Sequence, residues 1–354
     1  MHDVNRRDFA STLGFGALGL LTGRIETAAA AATDEIGDLS FVHPELRQVA
    51  LQTLKMSAGY ELTPDLIHKV RAMQKTSRKP VRPDIPVVEK LVPVPGGAPD
   101  VLVYVVNAKA GTQRAAILHT HGGGFILGSA KESIGDVQAC AAELDCVVVT
   151  VEYRLAPETR YSGSIEDNYA ALKWLYNNAA ELGVNQSKIA VMGESAGAGH
   201  AALLALRARD RGEVPVLFQM LVYPMLDDRT GSTRAVAKNI GTIGWNAQAN
   251  RTGWESFLGQ TPGTPNVPVA AVPARVGNLA GLPPTFIGVG GIDLFVDEDI
   301  DYARRLIDAG VPTELLVVPR AFHGFDVFGE RTSIAKRFTA AKIDALTRAF
   351  VGEL

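Results

Sequence analysis

Seven apolar runs of strand length recur along the chain, residues 101–106, 115–120, 146–151, 189–192, 216–223, 285–289 and 314–318, with longer stretches of helical patterning between them. Most are rich in Val, Ile or Leu and run continuously rather than alternating with polar residues. Such runs suit strands buried on both faces, the condition of a mainly parallel sheet covered by helices. The stretches between supply those helices. Residues 164–180 carry Ile165, Tyr169, Leu172 and Leu175 at helical spacing, residues 297–309 carry Ile300, Ala303, Leu306 and Ile307, and Ile343, Leu346 and Phe350 mark a last helix. One α/β domain, a mainly parallel central sheet flanked by helices, accounts for most of the chain.

Two stretches break the alternation: residues 33–86, helical in places, and the Gly-, Pro- and polar-rich residues 226–279. Each is too short to build much of a core alone, so the two are predicted to pack together as a cap above the sheet. That leaves residues 87–354 as the α/β domain, with the cap insertion at about 226–279.

The first 32 residues read as an export signal. Asn5-Arg6-Arg7-Asp8-Phe9 precedes an apolar, glycine-containing stretch, residues 13–21, and alanines Ala28 to Ala32 follow it. A paired arginine ahead of a short, mildly hydrophobic core resembles the twin-arginine type, which carries folded proteins across a bacterial membrane. The mature chain is expected to begin near Ala31 or Thr33, periplasmic or secreted. The apolar core is too short to span, so no membrane span is expected after cleavage. A helical arm with a chance Arg-Arg pair is the competing reading.

Charge narrows the partners. The formal net charge is −3 and the basic residues are scattered, so the chain lacks the electrostatic footprint of a nucleic-acid binder. A small-molecule substrate fits better, with a homodimer as a candidate assembly. The two cysteines, Cys140 and Cys146, lack the spacing of a disulfide framework or a zinc site and read as core residues. No metal site is expected.

The chemistry centres on Gly193-Glu194-Ser195-Ala196-Gly197, where the run 189–192 meets a helix beginning at Ala196. A serine on so sharp a strand-to-helix turn needs glycine two residues to either side, and the turn lifts its Oγ above the sheet. The bare pattern is weak; at this junction, with a helix N-terminus aimed at the serine, it marks a nucleophile. His121-Gly122-Gly123-Gly124 follows the run 115–120. Three glycines there let main-chain N–H groups converge as an oxyanion hole, each donor contributing about 3 kcal/mol in comparable sites. The Ala196 N–H is the expected further donor.

The base must be a histidine. Of the seven, His2 lies in the signal, His119 in a strand, His121 in the glycine loop, His43 and His68 in the cap stretches and His200 on the helix behind the serine. His323, in the loop after the last strand, remains as general base. Asp293 follows the run 285–289 through Gly290-Gly291-Ile292, giving the order Ser195, Asp293, His323 expected of this architecture. Asp227, Asp228 and Asp297 are rival acids, Asp297 and Glu298 being read as first-turn residues that cap the next helix.

His121 to Phe125, Tyr153-Arg154-Leu155-Ala156-Pro157-Glu158, Glu166-Asp167, the serine pentapeptide, Tyr223-Pro224, Leu282-Pro283-Pro284, Asp293 with Asp297-Glu298, and His323-Gly324-Phe325 together resemble the hormone-sensitive-lipase family of esterases. The resemblance covers roughly residues 101–325. It implies the α/β-hydrolase fold with a helical cap, no cofactor, the triad Ser195, Asp293 and His323, and oxyanion donors Gly123, Gly124 and Ala196 with Gly122 at the turn. The chain departs from the family at Ala198, where another glycine is common, and in residues 159–163, where a proline is usual. Arg154 and Glu158 belong to the signature, and their spacing suits an internal ion pair. Phe125, Trp245 and Trp254 are candidate acyl-pocket residues, with packing as the competing role.

The expected activity is hydrolysis of small to medium carboxylic esters through an acyl-enzyme on Ser195. Amides, lactones and carbamates are open to the same triad. A non-catalytic ligand-binding protein on this fold, such as the gibberellin receptors that have lost the histidine, is the reading from a different class.

Overall fold

The computed structural model describes residues 38–57, 61–73 and 79–353, so the expected signal lies outside the described residues. Its centre is one eight-stranded sheet: β1 Val87–Val92, β2 Val101–Val106, β3 Arg114–Thr120, β4 Val147–Glu152, β5 Val184–Glu194, β6 Phe218–Val222, β7 Thr285–Gly290 and β8 Thr313–Val318. The spatial order is β1-β2-β4-β3-β5-β6-β7-β8. The first two pairings are antiparallel and the other five parallel. The carboxyl ends of β3 and β5 to β8 therefore share one edge, where ligands of open α/β sheets bind.

Ten α-helices are described: α1 Arg47–Ser57, α2 Pro64–Met73, α3 Ala130–Glu143, α4 Tyr161–Asn177, α5 Ala179–Leu182, α6 Ala196–Arg211, α7 Ala247–Leu258, α8 Val296–Asp308, α9 Phe325–Phe328 and α10 Ser333–Val351. Side chains of β4 show why the strands are apolar throughout. Val147, Val149 and Val151 join the core with α4, α6 and α8. Val148 faces the other core, with Val137 of α3 and Phe338 and Leu346 of α10.

β1 is absent from the seven runs because it is an edge strand whose Val88 and Leu91 face solvent, interleaved with Glu89 and Lys90. In α8 the buried stripe is Val296, Asp299, Tyr302, Ala303 and Leu306. Ile300 and Ile307, expected on that stripe, are 41% and 57% exposed. At about 100° per residue they sit on the flank of the buried face, while Ala303 and Leu306, expected with them, lie on it.

The described parts of residues 33–86 pack in two places. Ile67 and Val70 of α2 share an apolar cluster with Trp254, Phe257 and Leu258 of α7, above the site edge. Leu46 and Ala50 pack instead with Phe325 and Ile334 beside α10. Glu45 fastens that end: its carboxylate accepts from the Ser333 amide at 2.6 Å and hydroxyl at 2.8 Å, a favourable charge at the start of α10.

Candidate active site

β5 ends at Glu194 and α6 begins at Ala196, so Ser195 alone makes the turn, at φ 56° and ψ −122°. A side chain in such a conformation costs of order 1–3 kcal/mol and persists only where its surroundings fix it. Here the Ser195 amide donates to Val222 O at 2.9 Å, and its carbonyl accepts from Gly199 N at 3.0 Å and Met225 N at 3.1 Å. A Cβ on Gly197 would run into the carbonyls of Thr120 and His121, which explains that glycine.

Three neighbouring loops bring the other groups to the serine. His323 Nε2 lies 3.0 Å from Ser195 Oγ, and His323 Nδ1 lies 2.9 Å from Asp293 Oδ2. A carboxylate only accepts, so Nδ1 carries the proton and the Nε2 lone pair faces the hydroxyl. Asp293 is fully buried, its second oxygen taken by the Phe295 amide at 3.0 Å. The Asp and His loops are tied by Ile292 N donating to Ala321 O at 3.0 Å. The rings of Tyr223 and Phe295 stand edge-on to the imidazole, with centroids at 4.8 and 5.1 Å.

The glycine loop curls beside them. Gly123 at φ 126° and Gly124 at φ 60° occupy backbone regions that favour glycine, and Gly123 O accepts from Ile126 N and Leu127 N. Ala196 opens α6, where a first-turn amide has no acceptor within the helix. A cavity of about 1020 Å³ lies over Ser195, with Gly123, Gly124, Leu127, Trp245, Tyr223 and His323 in its walls. Of the three aromatic candidates only Trp245 reaches that cavity, its ring so close over Gly124 that a Cβ there would overlap it. Phe125 and Trp254 do not: Phe125, 1% exposed, stacks on Phe257 at 4.0 Å and meets Trp254 edge-on, because its positive φ turns the ring down into the α7 cluster.

Two of the rival acids are otherwise engaged, and the third, Asp297, is exposed. Asp227 is held by Arg229 at 2.8 Å and Arg234 at 3.0 Å, and Asp228 by Arg275 at 2.6 Å. Glu298 does not cap its own helix; its carboxylate accepts from the amides of Leu226 at 2.7 Å and Asp227 at 3.1 Å. Burial, reinforced by Asp227, pushes the Glu298 carboxyl well above its ordinary range. Nor do Arg154 and Glu158 pair with each other. Arg154 forks onto the fully buried Asp167, with Nη2 to Oδ1 at 2.6 Å, while Glu158 meets Arg71 at 2.8 Å. Asp167 offers Arg154 a two-oxygen acceptor, which also takes the Arg154 amide at 3.0 Å.

His200 is enclosed by Phe125, Tyr153 and Phe257, and burial lowers it to about 3, so it is neutral. Both cysteines are free, and burial pushes the Cys140 thiol up to about 12. Four polar groups around the cavity escaped the sequence reading: His119 and Glu194, 3.0 Å apart, and Asp326 and Lys342, 2.6 Å apart. Their contacts cross between elements and leave no local spacing to detect. Among the described residues no cluster of His, Cys, Asp and Glu could hold a metal ion, and no helix is long and apolar enough to cross a membrane.

A profile described as the alpha/beta hydrolase fold matches residues 117–327. The chain is 35% identical over 264 residues to esterase LipI of Mycobacterium tuberculosis, covering 74% of this chain and 82% of that protein. It is 35% identical over 295 residues to carboxylesterase NlhH of the same organism, covering 81% and 85%. Among solved structures, esterase LipW from Mycobacterium marinum superposes with a TM-score of 0.75 at 34% identity over 88% of this chain and 97% of that one. A bacterial heroin esterase does so at 0.72 and 34% identity over 92% and 98%.

Proposed function

Because the chain belongs to the α/β-hydrolase family, among the esterases that resemble hormone-sensitive lipase, we propose that it is a carboxylesterase that works through an acyl-enzyme on Ser195. The observation that carries the assignment is the line from Asp293 through His323 to Ser195, with contacts of 2.9 and 3.0 Å. Ser195 Oγ attacks the ester carbonyl while His323 Nε2 takes its proton. Asp293 holds the imidazole tautomer and stabilises the imidazolium that forms. The amides of Gly123, Gly124 and Ala196 receive the developing oxyanion, each worth about 3 kcal/mol to the transition state. The imidazolium then protonates the leaving alcohol, and water repeats the cycle on the acyl-serine, releasing the acid.

Small to medium esters are the substrate class, with α2 and α7 as the cap beside the cavity and Trp245 in its wall. Export by a twin-arginine signal is the reading supported by Arg6-Arg7, the apolar stretch 13–21 and the alanines before Thr33. A fractionation blot showing only full-length protein in the cytoplasm would overturn it.

The test of the activity is Ser195→Ala. The variant should keep its fold and lose hydrolysis of p-nitrophenyl butyrate, and an organophosphonate should label the wild type at Ser195 but not the variant. Unchanged turnover by Ser195→Ala would refute the assignment.

A further inference from the structure

The turn that carries His323 has a second attachment. Asp326, three residues on and only 8% exposed, sits at the start of α9 with both carboxylate oxygens engaged. Oδ2 lies 2.6 Å from Lys342 Nζ on α10, and Oδ1 accepts from the Tyr223 hydroxyl at 2.9 Å. Tyr223 directly follows Val222, whose carbonyl receives the Ser195 amide, and its ring stands edge-on to His323. Besides the direct Ser195–His323 contact, a second route from the serine turn to the histidine turn therefore runs through Tyr223 and Asp326. Lys342 fixes the free end of that route. A hydroxyl bond alone leaves the carboxylate able to rotate about its own axis; a second, charge-assisted bond to the other oxygen removes that freedom.

We propose that Lys342 is a positioning residue for ester hydrolysis: through Asp326 it anchors the turn that presents the His323 imidazole to Ser195. Its side chain is 19% exposed and extends over the Phe338 ring, with Nζ 5.0 Å from the centroid, so its position is set by packing as well as by charge. Burial weakens the ammonium, but the charge and hydrogen bond of Asp326, joined by the charge of Glu194, outweigh it and leave Lys342 above its ordinary value. Lys342 thus carries its charge at neutral pH, as the anchor requires.

The inference rests on the proposed esterase activity, so the wild type must first hydrolyse p-nitrophenyl butyrate and be labelled by an organophosphonate. Failure there removes the activity itself. Given activity, Lys342→Met should lower kcat by about tenfold to a hundredfold, the scale of a misplaced catalytic group, with KM within about twofold of the wild type. The organophosphonate labelling rate should fall in parallel, because it too needs His323 to take the Ser195 proton. Lys342→Met leaves Asp326 charged without its partner and will lower the melting temperature. The double variant Lys342→Met with Asp326→Asn removes that charge and keeps an acceptor for Tyr223. It should regain the melting temperature while kcat stays low. Recovery of kcat together with the melting temperature, or a single variant with wild-type kcat and labelling, would reduce Lys342 to a structural ion pair and overturn the proposal.

Discussion

Replacing Asp293 by asparagine tests the proposed mechanism at the point where the structure dictates the outcome. The two carboxylate oxygens have different partners, the Phe295 amide at 3.0 Å and His323 Nδ1 at 2.9 Å. In Asp293→Asn only one end of the amide accepts, and Phe295 N–H claims it, because an NH2 group turned there would set two donors against each other. The NH2 then faces Nδ1. That nitrogen must become the acceptor, and the imidazole proton moves to Nε2, 3.0 Å from Ser195 Oγ. A protonated Nε2 has no lone pair for the serine proton, so the variant is held in the wrong tautomer. In a comparable triad the same change lowers kcat about 10⁴-fold, or about 5.4 kcal/mol of barrier. The assay is kcat and KM on p-nitrophenyl butyrate at pH 7.5, with circular dichroism to verify the fold. KM should stay within a few-fold, since Asp293 is buried away from the cavity. Asp297→Asn, in the first turn of α8, is the control and should stay within about twofold, as surface changes usually do. An Asp293→Asn variant within tenfold of wild-type kcat, or a collapse in Asp297→Asn instead, would refute this assignment of the acid.

Three further outcomes follow from packing and burial. Gly124→Ala puts a methyl group into the Trp245 ring at φ 60°, so the loop must shift; kcat should fall about 10²-fold, with partial recovery in Gly124→Ala combined with Trp245→Ala, and full activity in the single variant would show that the loop amides are not used. His200, lowered by burial to about 3, binds no proton in the folded state above that pH but does so in the unfolded chain near 6.5. Its contribution is present above the unfolded value and drains away as pH falls below it, by about 2 kcal/mol between pH 6 and 4, so urea titrations of His200→Leu should show a shallower acid loss than the wild type. Asp299 has the opposite sign: burial, then Glu298 and Asp293, raise its carboxyl, and neither oxygen is hydrogen-bonded among the described residues. Its cost grows as pH rises above the unfolded value, so Asp299→Asn should gain stability at pH 8 relative to pH 4, and equal gains at both would show that folding does not raise the Asp299 carboxyl.

The sheet was legible because burial on both faces leaves an apolar signature in each strand, as Val147 to Val151 illustrate by supplying both cores. β1 was not, since a strand exposed on both faces from Val88 to Leu91, with charges at Glu89 and Lys90, resembles a loop. Ser195, nominated by its glycine-flanked motif, and Asp293 and His323, nominated by their places after later strands, were legible because each follows a strand whose end lies on the same sheet edge. What spacing could not supply was partner choice. Arg154 and Glu158 sit four residues apart in one loop, yet Arg154 reaches 13 residues on to Asp167 of α4, and Glu158 back to Arg71 of α2. Phe125, next to the glycines in sequence, was for the same reason left open between a pocket and a packing role, and its ring belongs to the α7 cluster.

The backbone shows why the site lies where it does. Among the non-glycine residues with positive φ that follow strand ends on the site edge are Phe125 at 66°, Ser195 at 56° and Tyr223 at 37°. At about 1–3 kcal/mol each, they represent a strain that packing elsewhere must offset. Each is fastened by main-chain bonds to a neighbouring segment: Phe125 O accepts from Ala156 N at 3.0 Å, Ser195 N donates to Val222 O at 2.9 Å, and Tyr223 N donates to Gly288 O at 2.6 Å. Parallel strands must leave the sheet by abrupt turns, and a turn tight enough to expose Oγ without displacing the next helix requires such a conformation. The strain is a consequence of aiming a side chain out of a buried sheet, and the cross-strand bonds that hold it also register Ser195 against the loops carrying Asp293 and His323.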